Sequence, residues 1–140
     1  MLGIDAGERR VGVALSDELR VLASPVTVLD RARGLAPVLD ALGELARREG
    51  VAQIVVGLPI NENGTLGRQA RRAQDFARVA GRVLGLPVEL WDERLSTQAA
   101  EEIVRGQGRN TRQLRRRGDI DAVAAAVILQ DYLDHAGAPQ

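Results

Sequence analysis

The stretch "LGIDAGERRVGVALSD", residues 2–17, decides the fold class of this chain. Its apolar residues indicate two buried strands, and Val11, Val13 and Leu15 alternate with a period of two in the second. The intervening "AGERR" is typical of a tight connection. An acidic residue, Asp5, stands near the end of the first strand. Because a lone buried carboxylate is costly unless it is paired or bound to metal, Asp5 indicates a functional site.

The composition is that of a globular protein. The chain has 140 residues, of which 45% are hydrophobic and 27% charged, and we expect one domain over residues 1–140. It has no cysteine, so no disulfide or thiolate metal site is expected. No apolar run approaches the roughly 18 residues that span a bilayer, and no leader precedes the first strand. We therefore expect a cytoplasmic protein with no membrane partner.

The basic residues are unevenly distributed. All 19 are arginine, and the 19 acidic residues balance them to a net charge of zero. Residues 105–117 contain six arginines and no acid. Five others populate one helix-like segment: Arg68, Arg71, Arg72, Arg78 and Arg82. This distribution leaves a nucleic-acid partner open, although a charge run is usually a solvated face.

The rest of the chain alternates strands with helices. We predict strands over 21–29, 51–59 and 86–94 and helices over 35–50, 66–84, 98–105 and 119–135. Pro25 favours an edge or a bend in the first of these strands. The order predicts an α/β fold with a mixed five-stranded sheet, three antiparallel strands followed by parallel strands, covered by helices on both faces.

Acidic residues fall at three places where ligands collect in such sheets. Asp5 and the pair Asp92 and Glu93 lie at carboxyl ends of strands, and Asp119 and Asp121 begin the last helix. If these acids converge, their oxygens suit Mg²⁺ or Mn²⁺ rather than zinc. Two such ions can activate a water and stabilise the leaving oxygen of a phosphodiester. The alternative is that Asp119 only offsets the helix macrodipole, as acids at a helix start often do, and that Asp92 is a turn residue.

Four segments resemble, in order, the signature segments of the YqgF/RuvX family. They are "GIDAGERRVGVALSD", "VVGLPINENG", "DERLST" and "DIDAVAAAVIL". Members of the family are bacterial proteins with an RNase H-like fold, related to Holliday-junction resolvases. The resemblance covers nearly the whole chain, and it implies a metal-dependent nuclease.

The resemblance also implies a ligand set for Mg²⁺ or Mn²⁺. Asp5 would be the metal-binding aspartate of the first strand, and Asp121 the aspartate of the last helix. Glu93 is preferred over Asp92 as the second ligand, because "DERL" is a family motif. Asp119 would be a reserve ligand or only a helix-start charge.

Further residues acquire expected roles from the resemblance. Gly7 would let the backbone turn tightly beside the metal. Arg94 would reach a phosphate or, equally, form a structural ion pair. Gly57, Pro59 and Asn61 would line the cleft, although a plain strand-to-helix turn explains them as well.

The arginine-rich loop would guide a nucleic-acid strand toward Asp121 by neutralising phosphates. Its expected contacts are Arg109, Arg112, Arg115, Arg116 and Arg117. The chain has few aromatic residues, so recognition by base stacking is poorly supported, and Trp91 is interpreted as core packing. We expect His135 to face solvent near the end of the last helix.

The leading functional hypothesis, which the resemblance implies, is a nuclease like the family enzyme that trims the 5′ end of pre-16S rRNA. A Holliday-junction resolvase would use the same core on branched DNA, but symmetric cutting demands a dimer; the sequence leaves monomer and homodimer open. A non-catalytic RNA-binding module is a further alternative. Actin-like ATPases also open with strand–Asp-x-Gly–strand, but they need two domains. Arg9 and Arg10 stay open between phosphate contact and exposed hairpin surface.

Overall fold

The computed structural model describes residues 1–93 and 120–135. Its elements are β1 (Leu2–Ala6), β2 (Arg10–Ser16), β3 (Ala23–Asp30), α1 (Leu35–Glu49), β4 (Ile54–Leu58), α2 (Arg68–Leu84), β5 (Val88–Asp92) and α3 (Ile120–His135). The predicted helix over 98–105 and the arginine-rich loop lie outside the described residues. The other predicted elements are present, with ends that differ by a few residues.

The five strands form one mixed sheet in the order β3-β2-β1-β4-β5. The neighbours β1 and β2, and β2 and β3, are antiparallel, whereas β4 runs parallel to both β1 and β5. This arrangement confirms the predicted fold class. The parallel strands β1, β4 and β5 end at the same edge of the sheet, where the sequence predicts that acids meet.

The proline of β3 lies where a sheet tolerates it. β3 is an edge strand, and Pro25 pairs with Ala14 beside a register shift between Val13 and Ala14. A proline cannot donate a ladder hydrogen bond, so an edge or a bulge is its usual place. The edge predicted from Pro25 is confirmed.

Helices cover both faces of the sheet. Successive residues of the central strand β1 point to opposite faces, and the residues on each face are buried under helices. Leu2 and Ile4 of β1 belong to the hydrophobic core beneath α1 and α2. Gly3 lies between them and faces α3, whose Ala125 and Leu129 are its nearest neighbours. α3 has its own core with Val55 of β4.

Two helices end as the sequence predicts. α1 and α2 each stop at a glycine in the left-handed region, Gly50 with φ 63° and Gly85 with φ 67°. A residue with a side chain is strained there, so glycine is the usual choice. Within the described part of the chain, no helix is long and apolar enough to cross a membrane.

Candidate active site

Three carboxylates approach one another at the carboxyl edge of the parallel strands. Asp5 is the last residue but one of β1, Glu93 follows β5 directly, and Asp121 lies in the first turn of α3. The charge of Asp5 acts on Glu93, and the charge of Asp121 acts on Asp5. The structure therefore places these predicted acids on the α3 side of the sheet, around Asp5.

A glycine on β2 determines how closely α3 approaches Asp5. Gly12 is the direct partner of Asp5 in the β1–β2 register. A Cβ atom at Gly12 would overlap the backbone carbonyl of Asp121. The absence of a side chain thus lets the first turn of α3 rest on the sheet beside Asp5. Gly3 has the same effect farther along α3, since a Cβ there would lie 2.6 Å from the Cβ of Leu129.

The position of Glu93 bears on the choice between the two neighbouring acids of the "DERL" segment. A Cβ added at Gly57 would lie 2.5 Å from Oε1 of Glu93 and would also strike Ile128 of α3. Glu93 therefore lies over β4 on the α3 face. Along β5, Leu90 packs against the opposite core and Trp91 against the α3 core, so alternation directs Asp92 to the other side. This geometry favours Glu93, and its ligand role stays a prediction.

Burial and mutual repulsion raise the pKa values of two of the three acids. Burial, and secondarily the charge of Asp121, raises the pKa of Asp5 to about 6. Burial, and secondarily the charges of Asp5 and Asp92, raises the pKa of Glu93 to about 7. Ionising this cluster without a counter-ion is therefore unfavourable, and a bound cation would remove that cost.

The donor chemistry fits a hard divalent cation, but the ligand set is not preassembled. Within residues 1–93 and 120–135, no three His, Cys, Asp or Glu side chains are grouped closely enough to hold a metal. Instead, Oδ2 of Asp121 lies 3.2 Å from Nε of Arg10. Oxygen ligands alone suit Mg²⁺ or Mn²⁺. Asp5, Glu93 and Asp121 offer donors of this kind, and Asp121 is at present paired with Arg10.

The structure gives Arg10 a partner, whereas the sequence leaves it open between phosphate contact and exposed hairpin surface. Its side chain is 55% exposed and is paired with Asp121. The strand pattern contains a signal for this position, since Arg10 begins β2 beside the end of β1. The strand pattern does not predict that α3 docks over the start of β2, so it could not identify Asp121 as the partner of Arg10.

The turn after Asp5 has the tight backbone expected of Gly7. The amide of Gly7 donates to the carbonyl of Arg10 at 3.0 Å, and a Cβ there would lie 2.7 Å from that oxygen. Nη1 of Arg31 donates to the carbonyl of Gly7 at 2.8 Å. The turn at the site is thus held from β2 and from the end of β3. The role of Gly7 beside a metal stays a prediction.

The loop between β4 and α2 is held by its own side chains. Nδ2 of Asn61 donates to Oγ1 of Thr65 at 3.0 Å, and the Thr65 hydroxyl donates to Oδ1 of Asn63 at 2.6 Å. This is the arrangement expected of a strand-to-helix turn. Gly57 is buried and Pro59 is half-buried at its start, while Asn61 is exposed. A cleft-lining role for these residues stays a prediction.

Several predicted contacts lie outside the described residues. They are Arg94, Arg109, Arg112, Arg115, Arg116, Arg117 and the reserve acid Asp119. Trp91 packs edge-to-face on Tyr132 with ring centroids 5.4 Å apart, which agrees with its interpretation as core packing. Sequence reasoning missed its hydrogen bond, in which Nε1 donates to Oδ2 of the buried Asp131 at 2.5 Å.

Relatives with similar sequences span nearly the whole chain. A protein of Symbiobacterium thermophilum named "Putative pre-16S rRNA nuclease" is 51% identical over 133 residues, covering 94% of this chain and 90% of its own length. A protein of the same name from Moorella thermoacetica is 49% identical over 137 residues, covering 98% of this chain and 96% of its own length.

Solved structures share the fold. RuvC of T. thermophilus in complex with a Holliday junction substrate matches with a TM-score of 0.61 at 20% identity, covering 96% of this chain and 94% of that one. A second structure of Thermus thermophilus RuvC matches with a TM-score of 0.54 at 18% identity, covering 95% and 94%. The RNase H-like fold implied by the sequence is confirmed.

The family assignment rests on a match that extends over the described site and beyond it. The model of the RuvX family, described as Holliday junction resolvase, matches residues 1–135. That range includes Asp5, Glu93 and Asp121. Together with relatives of about half-identical sequence, this match shows that the chain belongs to the RuvX family of nucleases.

Proposed function

We propose that this protein is a cytoplasmic, metal-dependent nuclease that hydrolyses phosphodiester bonds during 5′-end maturation of pre-16S rRNA. The observation that carries the proposal is the placement of three acids on one face of the sheet. Asp121 lies over Gly12, the strand partner of Asp5, and Glu93 lies over Gly57 of β4. Burial also raises the pKa values of Asp5 and Glu93. Relatives of about half-identical sequence that bear the pre-16S rRNA nuclease name support the choice of substrate.

Asp5, Glu93 and Asp121 are the residues that would hold Mg²⁺ or Mn²⁺. A bound divalent ion would supply Lewis acidity, which activates water and offsets the charge that develops on the phosphate. Asp5 is central, because it is electrostatically coupled to the other two acids. To hold the ion, Asp121 would have to release Arg10, whose guanidinium would then stay beside the carboxylates.

In the reaction, a water oxygen forms a bond to phosphorus and the bond to the 3′ oxygen of the preceding nucleotide breaks. The products are a 5′-phosphate and a 3′-hydroxyl, and the leaving oxygen takes up a proton. The released guanidinium of Arg10 is suited to a phosphate oxygen, since charge-assisted hydrogen bonds of this kind are strong.

The family description and the RuvC-like fold favour a second candidate, the Holliday-junction resolvase. The catalytic cluster would be the same in both enzymes. Symmetric cutting of a junction requires two sites in a dimer, whereas trimming of a precursor RNA does not. Substrate preference and the oligomeric state on the substrate therefore separate the two functions.

The experiment is a cleavage panel in Mn²⁺ and in Mg²⁺. The substrates are a 5′-extended 16S rRNA precursor, unrelated single-stranded RNA, duplex DNA and a four-way junction. The variants are wild type, Asp5→Asn and the control Asp40→Asn, which removes an exposed carboxylate from α1. Mass analysis of the fragment ends identifies the bond that breaks.

The expected result is cleavage of the precursor RNA that requires the metal, is lost in Asp5→Asn and persists in Asp40→Asn. Loss of a residue that only supports a metal ligand already costs about 10–100-fold in metal affinity or activity, and we expect loss of a ligand itself to cost more. Full activity of Asp5→Asn would exclude the proposed site. Paired, symmetric cuts in the junction with intact RNA would instead establish the resolvase.

A further inference from the structure

A groove lined by arginines opens at the active-site edge, on the face opposite the carboxylates. It has a volume of about 600 Å³ and lies between the beginnings of α1 and α2. Its basic lining consists of Arg31, Arg68, Arg71 and Arg72, and its apolar lining includes Leu66 and Phe76. We call it the basic groove. Of these four arginines, only Arg31 contacts a described residue of the active site, through its hydrogen bond to the carbonyl of Gly7.

The three groove arginines that belong to α2 have no side-chain partner in the described chain. Asp75 is the single acid among the described residues of the lining, and it pairs with Arg78 at 3.2 Å. Within residues 1–93 and 120–135, the side chains of Arg68, Arg71 and Arg72 make no ion pair or hydrogen bond. Among the described residues, three guanidinium groups therefore gather in one groove without a paired carboxylate.

The backbone adds positive potential to the same groove. α1 and α2 both begin at it, after Gly34 and Gly67 respectively, and neither helix has a side-chain cap or an acid in its first turn. Uncapped helix starts carry free amide donors and partial positive charge. Together with the arginines, they make a surface suited to a polyanion.

The groove is connected to the carboxylate cluster through one residue. Arg31 lines the groove, and its Nη1 donates to the carbonyl of Gly7, two residues after Asp5. The carboxylates lie on the α3 face and the groove on the α1 and α2 face, but both open at the edge where β1 and β4 end. A chain that crosses this edge would contact both.

We propose that the basic groove holds the phosphate backbone of the single strand that flanks the scissile phosphate. This inference rests on the proposed nuclease function for the identity of the strand. Phe76, the one aromatic residue in the described lining, is 2% exposed and offers no stacking surface. Binding is therefore by phosphate and insensitive to base sequence, unlike sites that stack bases on aromatic rings.

The test compares two arginine pairs on different helices. Arg71→Ala/Arg72→Ala removes two charges from the groove, and Arg47→Ala/Arg48→Ala removes two charges from the last turn of α1, outside the groove. Both pairs are made in wild type and in Asp5→Asn, and their melting temperatures are measured first. Fluorescence anisotropy in EDTA then gives the Kd for labelled RNAs with and without nucleotides flanking the cleavage point, over a KCl series.

For the flanked RNA, the groove pair is expected to raise Kd at least tenfold and to reduce the slope of log K against log[KCl] by about 1.4, which corresponds to two single-strand phosphates. The same Kd ratio is expected for RNAs of unrelated sequence. The unflanked RNA should lose much less affinity, and the control pair should behave as wild type. An unchanged Kd, or an equal loss in the control pair, would overturn the inference.

The binding assay needs no catalysis, so the groove and the nuclease function can fail separately. If wild type cuts none of the panel but the groove pair still weakens RNA binding, the groove stands without the proposed function. If wild type cuts the RNA and the groove pair binds it normally, the nuclease function stands and the groove inference is wrong.

Discussion

The Nε atom of Arg10 lies 3.2 Å from Oδ2 of Asp121, so a half-exposed arginine occupies the carboxylate that the metal is proposed to take. The two residues come from the first residue of β2 and the first turn of α3. The pairing engages one of the three acids, and within residues 1–93 and 120–135 no three such side chains form a ready ligand set. A metal that binds Asp121 would therefore have to compete with Arg10.

Arg10→Gln is expected to lower the half-saturating Mn²⁺ concentration by about two- to tenfold, because one competing positive charge leaves the site. Without metal, stability should change little, since exposed ion pairs contribute about 0–1 kcal/mol. The melting temperature measured across a Mn²⁺ series gives the half-saturating concentration, and its value without metal reports the change in stability. Arg9→Gln removes the same charge from the same turn and serves as the control. Weaker metal binding in Arg10→Gln would contradict the competition.

Asp5→Asn should be more stable than wild type at pH 7 in EDTA. The pKa of Asp5 is raised to about 6 in the folded protein, above its ordinary 3.8, mainly by burial and secondarily by Asp121. The folded state therefore holds its proton more tightly than the unfolded state, and stability falls as pH rises from about 4 to 6. The gain in the variant should be on the order of 2 kcal/mol at pH 7 and vanish near pH 4.

Urea denaturation at pH 4, 5, 6 and 7 measures this difference. Asp40→Asn, an exposed carboxylate of α1, should differ little from wild type at any of these pH values. Saturating Mn²⁺ should stabilise wild type and leave Asp5→Asn unaffected. A constant offset between Asp5→Asn and wild type across the pH series would show that folding does not raise the pKa of Asp5.

Gly12→Ala is expected to lower both stability and activity, because the new methyl group would overlap the backbone of Asp121. Overpacking of this kind costs about 1–3 kcal/mol. Displacement of α3 would also move Asp121 away from Asp5. Gly43→Ala is the matched control, since it adds a methyl group inside α1 against the flexible end of Leu84 at 3.2 Å. Denaturant unfolding and the cleavage assay should separate the two variants.

The control gains helix propensity, so Gly43→Ala should be neutral or slightly stabilising and fully active. If Gly12→Ala matched it in both measurements, close docking of α3 on Gly12 would be wrong.

Trp91→Phe should reduce stability by about 1–3 kcal/mol, because it leaves a buried acceptor without its donor. The acceptor is Asp131, which is 2% exposed and also lies 3.2 Å from Nδ1 of His135 through its other oxygen. A double-mutant cycle with Asp131→Ala, followed by urea unfolding, measures the coupling. Additive losses would indicate that the hydrogen bond contributes nothing beyond packing.

Much of the fold could be predicted because it depends on local patterns. Short stretches of sequence predict individual elements without reference to the rest of the chain. Alternation after Asp5 predicts β2, the continuous apolar run predicts β4, and two glycines predict the ends of α1 and α2. The edge position of Pro25 follows from the missing amide hydrogen alone. The strand ends where Asp5 and Glu93 lie are local features as well, which is why both acids could be singled out.

By itself, the sequence determined which acids lie at strand ends and which begin the last helix. Its motifs also indicated the family. Only the tertiary structure decided that Asp121 pairs with Arg10, that Gly12 seats α3 beside Asp5, and that Arg31 links the basic groove to Gly7. These relationships join residues distant in the chain, and they depend on sheet register and on the fit of a helix against a face. A local pattern specifies the elements, whereas close packing between elements selects the partners of each side chain.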